Sequence, residues 1–169
     1  MLTLLPFVAA VAFQQFDPRD TRVGRNGSLL ITEFAVQDFE EFKRDWMPYR
    51  KGAELKLTSR LIVGKPTSIN LTIAGCQHDA AGNCQVSVRW IVTDPDGEIY
   101  GGMDGKTARP AFAEALPTSN ALAFVAPAIT IRIDPGEKIG VYKVQALTTD
   151  EVAHKSVTTT LALTAQAAE

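Results

Sequence analysis

The chain has 169 residues, of which 46% are hydrophobic and 21% are charged, and its 17 basic and 19 acidic residues give a net charge of −2. A chain of this length forms one domain with a substantial core. Because the basic residues are scattered among acidic ones, the sequence offers no basic face, and nucleic acid is excluded as an expected partner.

An uncharged apolar run opens the chain. Residues 2–13 have the length of a signal-peptide hydrophobic region, are too short to span a bilayer, and contain an A-x-A pattern at residues 10–12. We predict a signal peptide at residues 1–12, with an N-terminal strand as the alternative because no positive charge precedes the run. A flexible leader is expected at residues 13–28 and a single β-sandwich domain at residues 29–169. The protein is then expected to be periplasmic or secreted, and not an integral membrane protein.

A helical pattern follows in the segment "AVQDFEEFKRDW". Its apolar residues recur at helical spacing at Val36, Phe39, Phe42 and Trp46. Asp38 and Glu41 have the form of a capping box at its start. We predict a short helix that plugs an open end of the core with its aromatic side chains. The alternative is a peptide or lipid groove lined by the same aromatics.

Most of the remaining chain alternates between apolar and polar residues. The apolar positions fall on one parity within each segment: Leu55, Leu57, Leu61 and Val63; Ile69, Leu71 and Ile73; Val86, Val88, Trp90 and Val92; Ile129, Ile131 and Ile133; Tyr142, Val144 and Ala146; Val157, Thr159, Leu161 and Leu163. Successive side chains of a strand point to opposite faces, so each segment has a buried and an exposed face. With turn sequences such as "DPDG" and "DPGEK" between them, the segments predict an all-β, antiparallel two-sheet sandwich.

The two cysteines, Cys76 and Cys84, lie at the end of one predicted strand and the start of the next. If these strands pair as a hairpin, the two Cα atoms come within the separation that a disulfide needs. A redox motif would need C-x-x-C spacing, and a zinc site would need a fourth ligand beside Cys76, His78 and Cys84. We predict a disulfide that staples the hairpin, with His78 as a solvent-facing loop residue.

Four acidic residues gather in the segment "TDPDGEIYGGMDGK": Asp94, Asp96, Glu98 and Asp104. Oxygen ligands at alternate positions resemble the first half of a calcium loop, but EF-hand spacing is absent. Asp-Pro and Asp-Gly form turns without any metal, so we predict a β-turn and no metal site. A calcium site at these four residues, or copper at His78, is the alternative.

Catalytic motifs are scarce. The two histidines, His78 and His154, both lie in predicted loops, and no G-x-S-x-G sequence is present. We therefore expect no enzymatic activity, no catalytic residue and no cofactor. The alternative is a small hydrolase-like enzyme with a site between the sandwich and the helix.

A long connection follows the acidic turn. About twenty residues from Gly101 onward lack a strand pattern, and "PAFAEAL" is expected to form one or two helical turns that begin at Pro110. Because the connections of a rigid sandwich commonly carry its function, residues 94–120 are the expected contact surface.

Two segments resemble immunoglobulin-like domains. "QVSVRWIVTDPDG" looks like their third strand, with Trp90 as the core tryptophan, and "DPGEKIGVYKVQA" is similar to the corner before their sixth strand, with Tyr142 tying the loop to the backbone. The stretch from Gly136 to Tyr142 is also similar to the G-x-Y corner of bacterial extracytoplasmic sandwich modules. The resemblance covers residues 51–165 and departs from antibody domains in its closely spaced cysteines. It implies an immunoglobulin-like fold and a module that binds other proteins or acts as a spacer.

Taken together, these features predict an exported, non-enzymatic interaction module with an immunoglobulin-like fold. It is expected to bind a protein partner through its loops or through a sheet edge.

Overall fold

The computed structural model describes residues 21–46, 56–100, 108–115 and 123–168, with the side chains of residues 45, 46 and 108–127 outside the description. The helix and strands within these ranges are β1 (Thr21–Asn26), β2 (Leu29–Val36), α1 (Phe39–Trp46), β3 (Arg60–Ile62), β4 (Thr67–Ala74), β5 (Asn83–Thr93), β6 (Ala108–Ala115), β7 (Ala123–Ile131), β8 (Gly140–Asp150) and β9 (Lys155–Gln166). The predicted signal peptide at residues 1–12 lies outside them.

The strands form two sheets. One has the order β1-β2-β4-β7, and the other has the order β3-β9-β8-β5-β6. All pairs are antiparallel except the three-residue pairing of β3 with β9, which is parallel. The orders β2-β4-β7 and β9-β8-β5-β6 correspond to strands A-B-E and G-F-C-C′ of variable-type immunoglobulin sandwiches. The predicted two-sheet, immunoglobulin-like sandwich with one short helix is confirmed.

The core lies between the sheets and is built from the inner face of each strand. On β5 the side chains of Val86, Val88, Trp90 and Val92 are buried, while Gln85 and Arg89 between them are exposed. The same alternation buries the predicted inner residues of the other strands, among them Ile69, Leu71, Ile73, Ile129, Ile131, Tyr142, Val144, Leu161 and Leu163. The period of two in the sequence therefore identified the core face of each of these strands.

Helix α1 packs on the outer face of the four-stranded sheet. The Asp38 carboxylate accepts a hydrogen bond from the Glu41 amide at 2.8 Å, which confirms the predicted cap. The centroid of the Phe42 ring lies 5.3 Å from that of Phe34. Phe34 lies on the outer face of β2, away from the core between the sheets. The prediction that the helix plugs an open end of the core is therefore wrong, because Phe34 and Val36 form a second apolar surface outside the sandwich.

The segment from Thr21 to Asn26 is a strand, not part of a flexible leader. β1 pairs with β2 from Thr21↔Phe34 to Asn26↔Leu29, which leaves Gly27 and Ser28 as a two-residue hairpin loop. Gly27 has φ +63°, the left-handed conformation that such tight hairpins require. The Gly-Ser pair in "RNGS", with glycine at the first loop position, is a hairpin signal that the leader prediction did not use.

The expected strand around Leu57 and Leu61 is interrupted. Leu57 forms a single bridge with Val36, and regular pairing resumes only in β3 at Arg60–Ile62. Between them the Thr58 hydroxyl accepts a hydrogen bond from the Arg60 amide at 3.0 Å. A local side-chain bond of this kind competes with the strand ladder and turns the chain from one sheet to the other.

The cysteines form a disulfide, with a Cα–Cα distance of 6.0 Å between Cys76 and Cys84. It does not staple a hairpin of adjacent strands, because β4 and β5 belong to different sheets. Instead it closes the loop that carries the chain across the sandwich. The bond is confirmed, and the pairing of β4 with β5 is corrected.

The segment "PAFAEAL" is not helical where it is described. β6, at Ala108–Ala115, pairs antiparallel with β5 as the edge strand of the five-stranded sheet. Pro110 sits opposite Ser87 in this pair. Proline lacks an N–H donor and is tolerated at a sheet edge, so the expected helical start at Pro110 is replaced by an edge strand.

Substitution of Gly75 by alanine is expected to lower the free energy of unfolding by about 2 kcal/mol. An alanine in the left-handed backbone conformation costs roughly 1 kcal/mol, and the steric clash of its Cβ adds to this cost. Gly75 has φ +67°, and an added Cβ would collide with the Ser28 carbonyl oxygen. Gly82→Ala is the matched control, because Gly82 has φ +84° but open space around it. Urea denaturation should show the larger loss for Gly75→Ala; equal losses would contradict this packing.

Candidate partner-binding surface

Two loops meet at one end of the sandwich, where β5 ends and β8 begins. We define the loop-pair surface as the exposed groups of residues 94–100 and 134–142. In the first loop the Asp94 amide donates to the Glu98 carbonyl at 2.8 Å, and the Gly97 amide donates to the Asp94 carbonyl at 3.0 Å. The predicted "DPDG" turn is therefore present, with Gly97 at φ +86°.

Lys138 ties the two loops together. Its Nζ lies 2.6 Å from a carboxylate oxygen of Asp94 and 2.6 Å from one of Asp96. The Lys138 hydrogen bond lowers the pKa of Asp94 below its ordinary value, and the two carboxylates raise the pKa of Lys138. Since Lys138 and Asp96 are exposed, their contact contributes to loop geometry more than to stability. The Asp94 side chain is only 12% exposed and holds Lys138 from beneath the loop.

Two of the four acidic residues considered as metal ligands are arranged around an ammonium group instead. Asp94 and Asp96 bind Lys138, Glu98 is exposed in the same turn, and Asp104 lies outside the described residues. Among the residues that the structure describes, no three His, Cys, Asp or Glu side chains are grouped to hold a metal ion.

Two tyrosines fix the second loop to the sandwich. The Tyr142 hydroxyl donates to the Lys138 carbonyl at 2.9 Å, which is the predicted tyrosine corner. The Tyr100 hydroxyl lies 2.7 Å from the Arg132 carbonyl and 2.8 Å from Glu137 Oε2. Burial, followed by the Glu137 contact, raises the pKa of Tyr100. The two rings meet edge to face with centroids 5.3 Å apart, so both loops rest on one aromatic pair.

Large apolar side chains are exposed on this surface. Ile99 is 60% exposed, Ile139 58% and Val141 45%. Strand pairing brings Ile99 close to Val141. Ile99 forms a bridge with Thr93, which pairs with Lys143 of β8, and Val141 lies on the same face of β8 two residues before Lys143. Within the described chain the fourth exposed large hydrophobic residue, Val23, lies on β1. Three of these four residues therefore gather at one end of the sandwich.

The loop-pair surface is also acidic. Its exposed carboxylates outnumber its single basic residue, Lys138: Asp96, Glu98, Asp134 and Glu137. Arg132, just outside it, pairs with Asp134 at 2.9 Å. The surface therefore combines exposed apolar side chains with a negative rim.

Both histidines lie toward the opposite end. His78 is half-buried, with Nε2 buried and unpartnered, so the expectation that it faces solvent is corrected. His154 is exposed in the β8–β9 turn. Asp150 joins the two regions, accepting from the Gln77 amide at 2.8 Å and from the Val152 and Ala153 amides at 3.0 Å. The Asp150 carboxylate thus links the loop after β4 to the β8–β9 turn through backbone amides, a role that the local sequence "LTTDEVAHK" did not indicate.

The interface between α1 and the sandwich is filled by aromatic rings. The Phe34 and Phe42 centroids are 5.3 Å apart, and those of Phe39 and Phe42 are 6.2 Å apart. The hydrolase alternative needs a site in this interface, and its described part presents packed rings rather than convergent polar groups.

Two sheet edges on one side of the sandwich carry proline. β6 contains Pro110, and β7, the edge strand of the other sheet, contains Pro127. On the other side, edge strand β1 folds against β9, where the Asn26 side chain donates to the Ser156 carbonyl at 3.1 Å. Prolines and covered strands oppose the addition of a partner strand, so these edges are poor sites for β-augmentation.

No protein-family model matches the chain, and no curated protein matches it. It shares a distant likeness with solved structures. The crystal structure of a Niemann-Pick type C2 protein from Japanese carpenter ant aligns with a TM-score of 0.34 and 6% identity, covering 86% of this chain and 95% of that one. Likeness at this level assigns neither a family nor a ligand. In the described ranges, no helix has the length and apolar character needed to cross a membrane.

Proposed function

We propose that the protein is a non-enzymatic interaction module that binds a protein partner through the loop-pair surface. The observation that carries the proposal is the gathering of Ile99, Ile139 and Val141, each at least 45% exposed, at one end of the sandwich. Exposed apolar groups that cluster within a polar rim are typical of protein interaction sites.

The rigidity of the two loops supports the same role. Lys138 holds Asp94 and Asp96, while Tyr100 and Tyr142 anchor both loops to the aromatic pair beneath them. A surface that is ordered before binding loses less conformational entropy when a partner docks. The proline-bearing and covered edges favour these loops over a sheet edge as the contact.

Charge defines the partner's chemistry. Because the carboxylates of the surface outnumber Lys138, a complementary partner presents Lys or Arg side chains around one or more apolar residues. We propose a basic, apolar protein segment as the occupant.

An oxidising compartment is part of the proposal. The Cys76–Cys84 bond is of the kind that persists in exported proteins and is rare in the reducing cytosol. We place the module in the periplasm or outside the cell, which fits the signal peptide expected at residues 1–12.

The double substitution Ile139→Lys and Val141→Lys is expected to weaken partner binding at least about tenfold, since it removes two exposed apolar contacts and adds positive charge that repels a basic partner. The probe is a displayed library of random twelve-residue peptides selected on the wild-type protein. Selected peptides should combine basic with apolar residues, and their affinities for the variant are measured by fluorescence polarisation.

Val23→Lys is the matched control, because Val23 is 63% exposed but lies on β1, away from the loop pair. It should bind the selected peptides as the wild type does. Peptides without basic residues, or equal binding to the wild type and the double variant, would refute the proposed surface.

A further inference from the structure

Glu33 is a carboxyl group inside the sandwich. On β2 it shares the inner parity with Leu29, Ile31 and Ala35 and is 0% exposed. Among the residues that the structure describes, neither of its carboxyl oxygens has a hydrogen-bond partner. A charged group is costly in such a place, and a buried polar group without a partner in a native fold calls for an explanation.

Few groups near Glu33 can stabilise the ionised form of its carboxyl. Its register partners are Arg22 on β1 and Leu71 on β4, and Thr159 of β9 lies beside the carboxyl. The hydroxyls of Thr159 and of Thr148, its diagonal neighbour on β8, are also buried without partners. Desolvation raises the pKa of Glu33 to about 8, and the smaller effects of Thr159 and Arg22 only partly oppose it.

Arg22 is the charged side chain that faces Glu33 from the neighbouring strand. The other titratable residues on the inner face of β8, Tyr142 and Asp150, lie near the two ends of that strand. The inner residues of β9 near Glu33, Val157 and Thr159, carry no charge. Ionisation of Glu33 would therefore place a charge among mostly apolar and neutral groups.

β1 closes the sandwich beside Glu33. It is the edge strand, bonded in its sheet only to β2, and it lies against β9. The contact is close enough that a Cβ on Gly24 would collide with Val157 Cγ1. Outward movement of this single short strand would admit water to the Glu33 carboxyl without separating the remaining strands.

We propose that β1 is a pH-sensitive flap, closed while the Glu33 carboxyl is protonated and released as that carboxyl ionises. In the opened form the glutamate is solvated and regains a pKa near 4.5, whereas the closed form holds the proton up to about pH 8. Between these values opening releases a proton, so rising pH favours opening by up to about tenfold per unit. Above about pH 8 both forms are ionised and the dependence levels off.

Hydrogen–deuterium exchange tests the flap. After correction for intrinsic exchange, the opening constant of the β1 amides should rise about fiftyfold from pH 6 to pH 8, because the tenfold-per-unit slope falls off as pH approaches 8. It should also exceed that of the β8 amides at pH 8. Glu33→Gln should abolish the rise, and Glu40→Gln, at an exposed carboxylate on α1, should retain it.

A carbon-13 titration of the Glu33 carboxyl gives a second readout that needs no variant to fold. A value near 8 in the wild-type protein supports the flap, and a value near 4.5 overturns it. One shared opening constant for β1 and β8 at every pH, or an unchanged pH dependence in Glu33→Gln, also overturns it. None of these measurements involves the loop-pair surface, so they are independent of the proposed partner.

Discussion

Trp90→Ala is expected to lower the free energy of unfolding by about 3–5 kcal/mol, the cost of truncating a large buried aromatic side chain. Trp90 lies on the inner face of β5, is 4% exposed, and stands opposite Ala146 of β8. The indole fills the space that this small residue leaves between the sheets. Truncation would leave a cavity that close-packed neighbours cannot fill.

Urea denaturation of the wild type and of Trp90→Ala measures this effect. Arg89→Ala is the matched control, because Arg89 is the adjacent residue but points to solvent. The control should change stability by less than about 0.5 kcal/mol. A loss of that small size for Trp90→Ala would contradict the position of the indole between the sheets.

Replacing both Cys76 and Cys84 with alanine is expected to lower the free energy of unfolding by about 2.5 kcal/mol, the chain-entropy value for so small a loop. Alanine is chosen because both cysteines are buried, and serine would add a buried hydroxyl. The bond should stabilise the crossing between the sheets, where no β4–β5 ladder holds the two chain segments together.

Reductant provides the control for the disulfide. Dithiothreitol should destabilise the wild-type protein by the same amount and leave the double alanine variant unchanged. If both thiols of unreduced protein react with an alkylating reagent, the disulfide and the oxidising compartment inferred from it are both wrong.

Alternation carried most of the fold prediction. The period of two identified the core-facing residues of β4, β5, β8 and β9, because a sandwich strand has one inner and one outer face. It did not predict that β4 is buried on its other face as well, at Ser68, Asn70 and Thr72. Two side-chain hydrogen bonds between residues close in sequence were also predicted. Asp38 caps α1, and the Tyr142 hydroxyl donates to the Lys138 carbonyl. Features that depend on neighbours within a few residues were thus readable from the sequence.

Long-range placement was not readable. A turn that leads into a paired strand and one that crosses to the other sheet have similar local chemistry, so Cys76 and Cys84 were assigned to a hairpin. The aromatic spacing of α1 predicted a buried face of the helix. It did not indicate whether that face packs on an open end of the core or on the outer face of the four-stranded sheet. Pro110 suits both a helix start and an edge strand, and its pairing with β5 decides between them.

The candidate site was only partly predictable. The "DPDG" turn and the choice of residues 94–120 pointed to one of the two loops, whereas the partner loop emerged from the pairing of β5 with β8. Val141 lies on the outer parity of β8, and Glu33 on the inner parity of β2. The alternation of the sequence thus places the apolar Val141 on an exposed face and the acidic Glu33 on a buried face. Both placements oppose the usual preference of apolar residues for the interior and of acidic residues for the surface.

Site-specific photo-crosslinking in the producing cell tests the central claim most directly. A benzophenone amino acid is placed at Ile139, on the loop-pair surface, and at Thr160, an exposed residue on the outer face of β9. We predict a discrete protein adduct from position 139, with a basic, apolar segment at the crosslinked site, and none from position 160. An adduct from position 160 alone, or equal adducts from both, would contradict the claim that the loop-pair surface binds the partner.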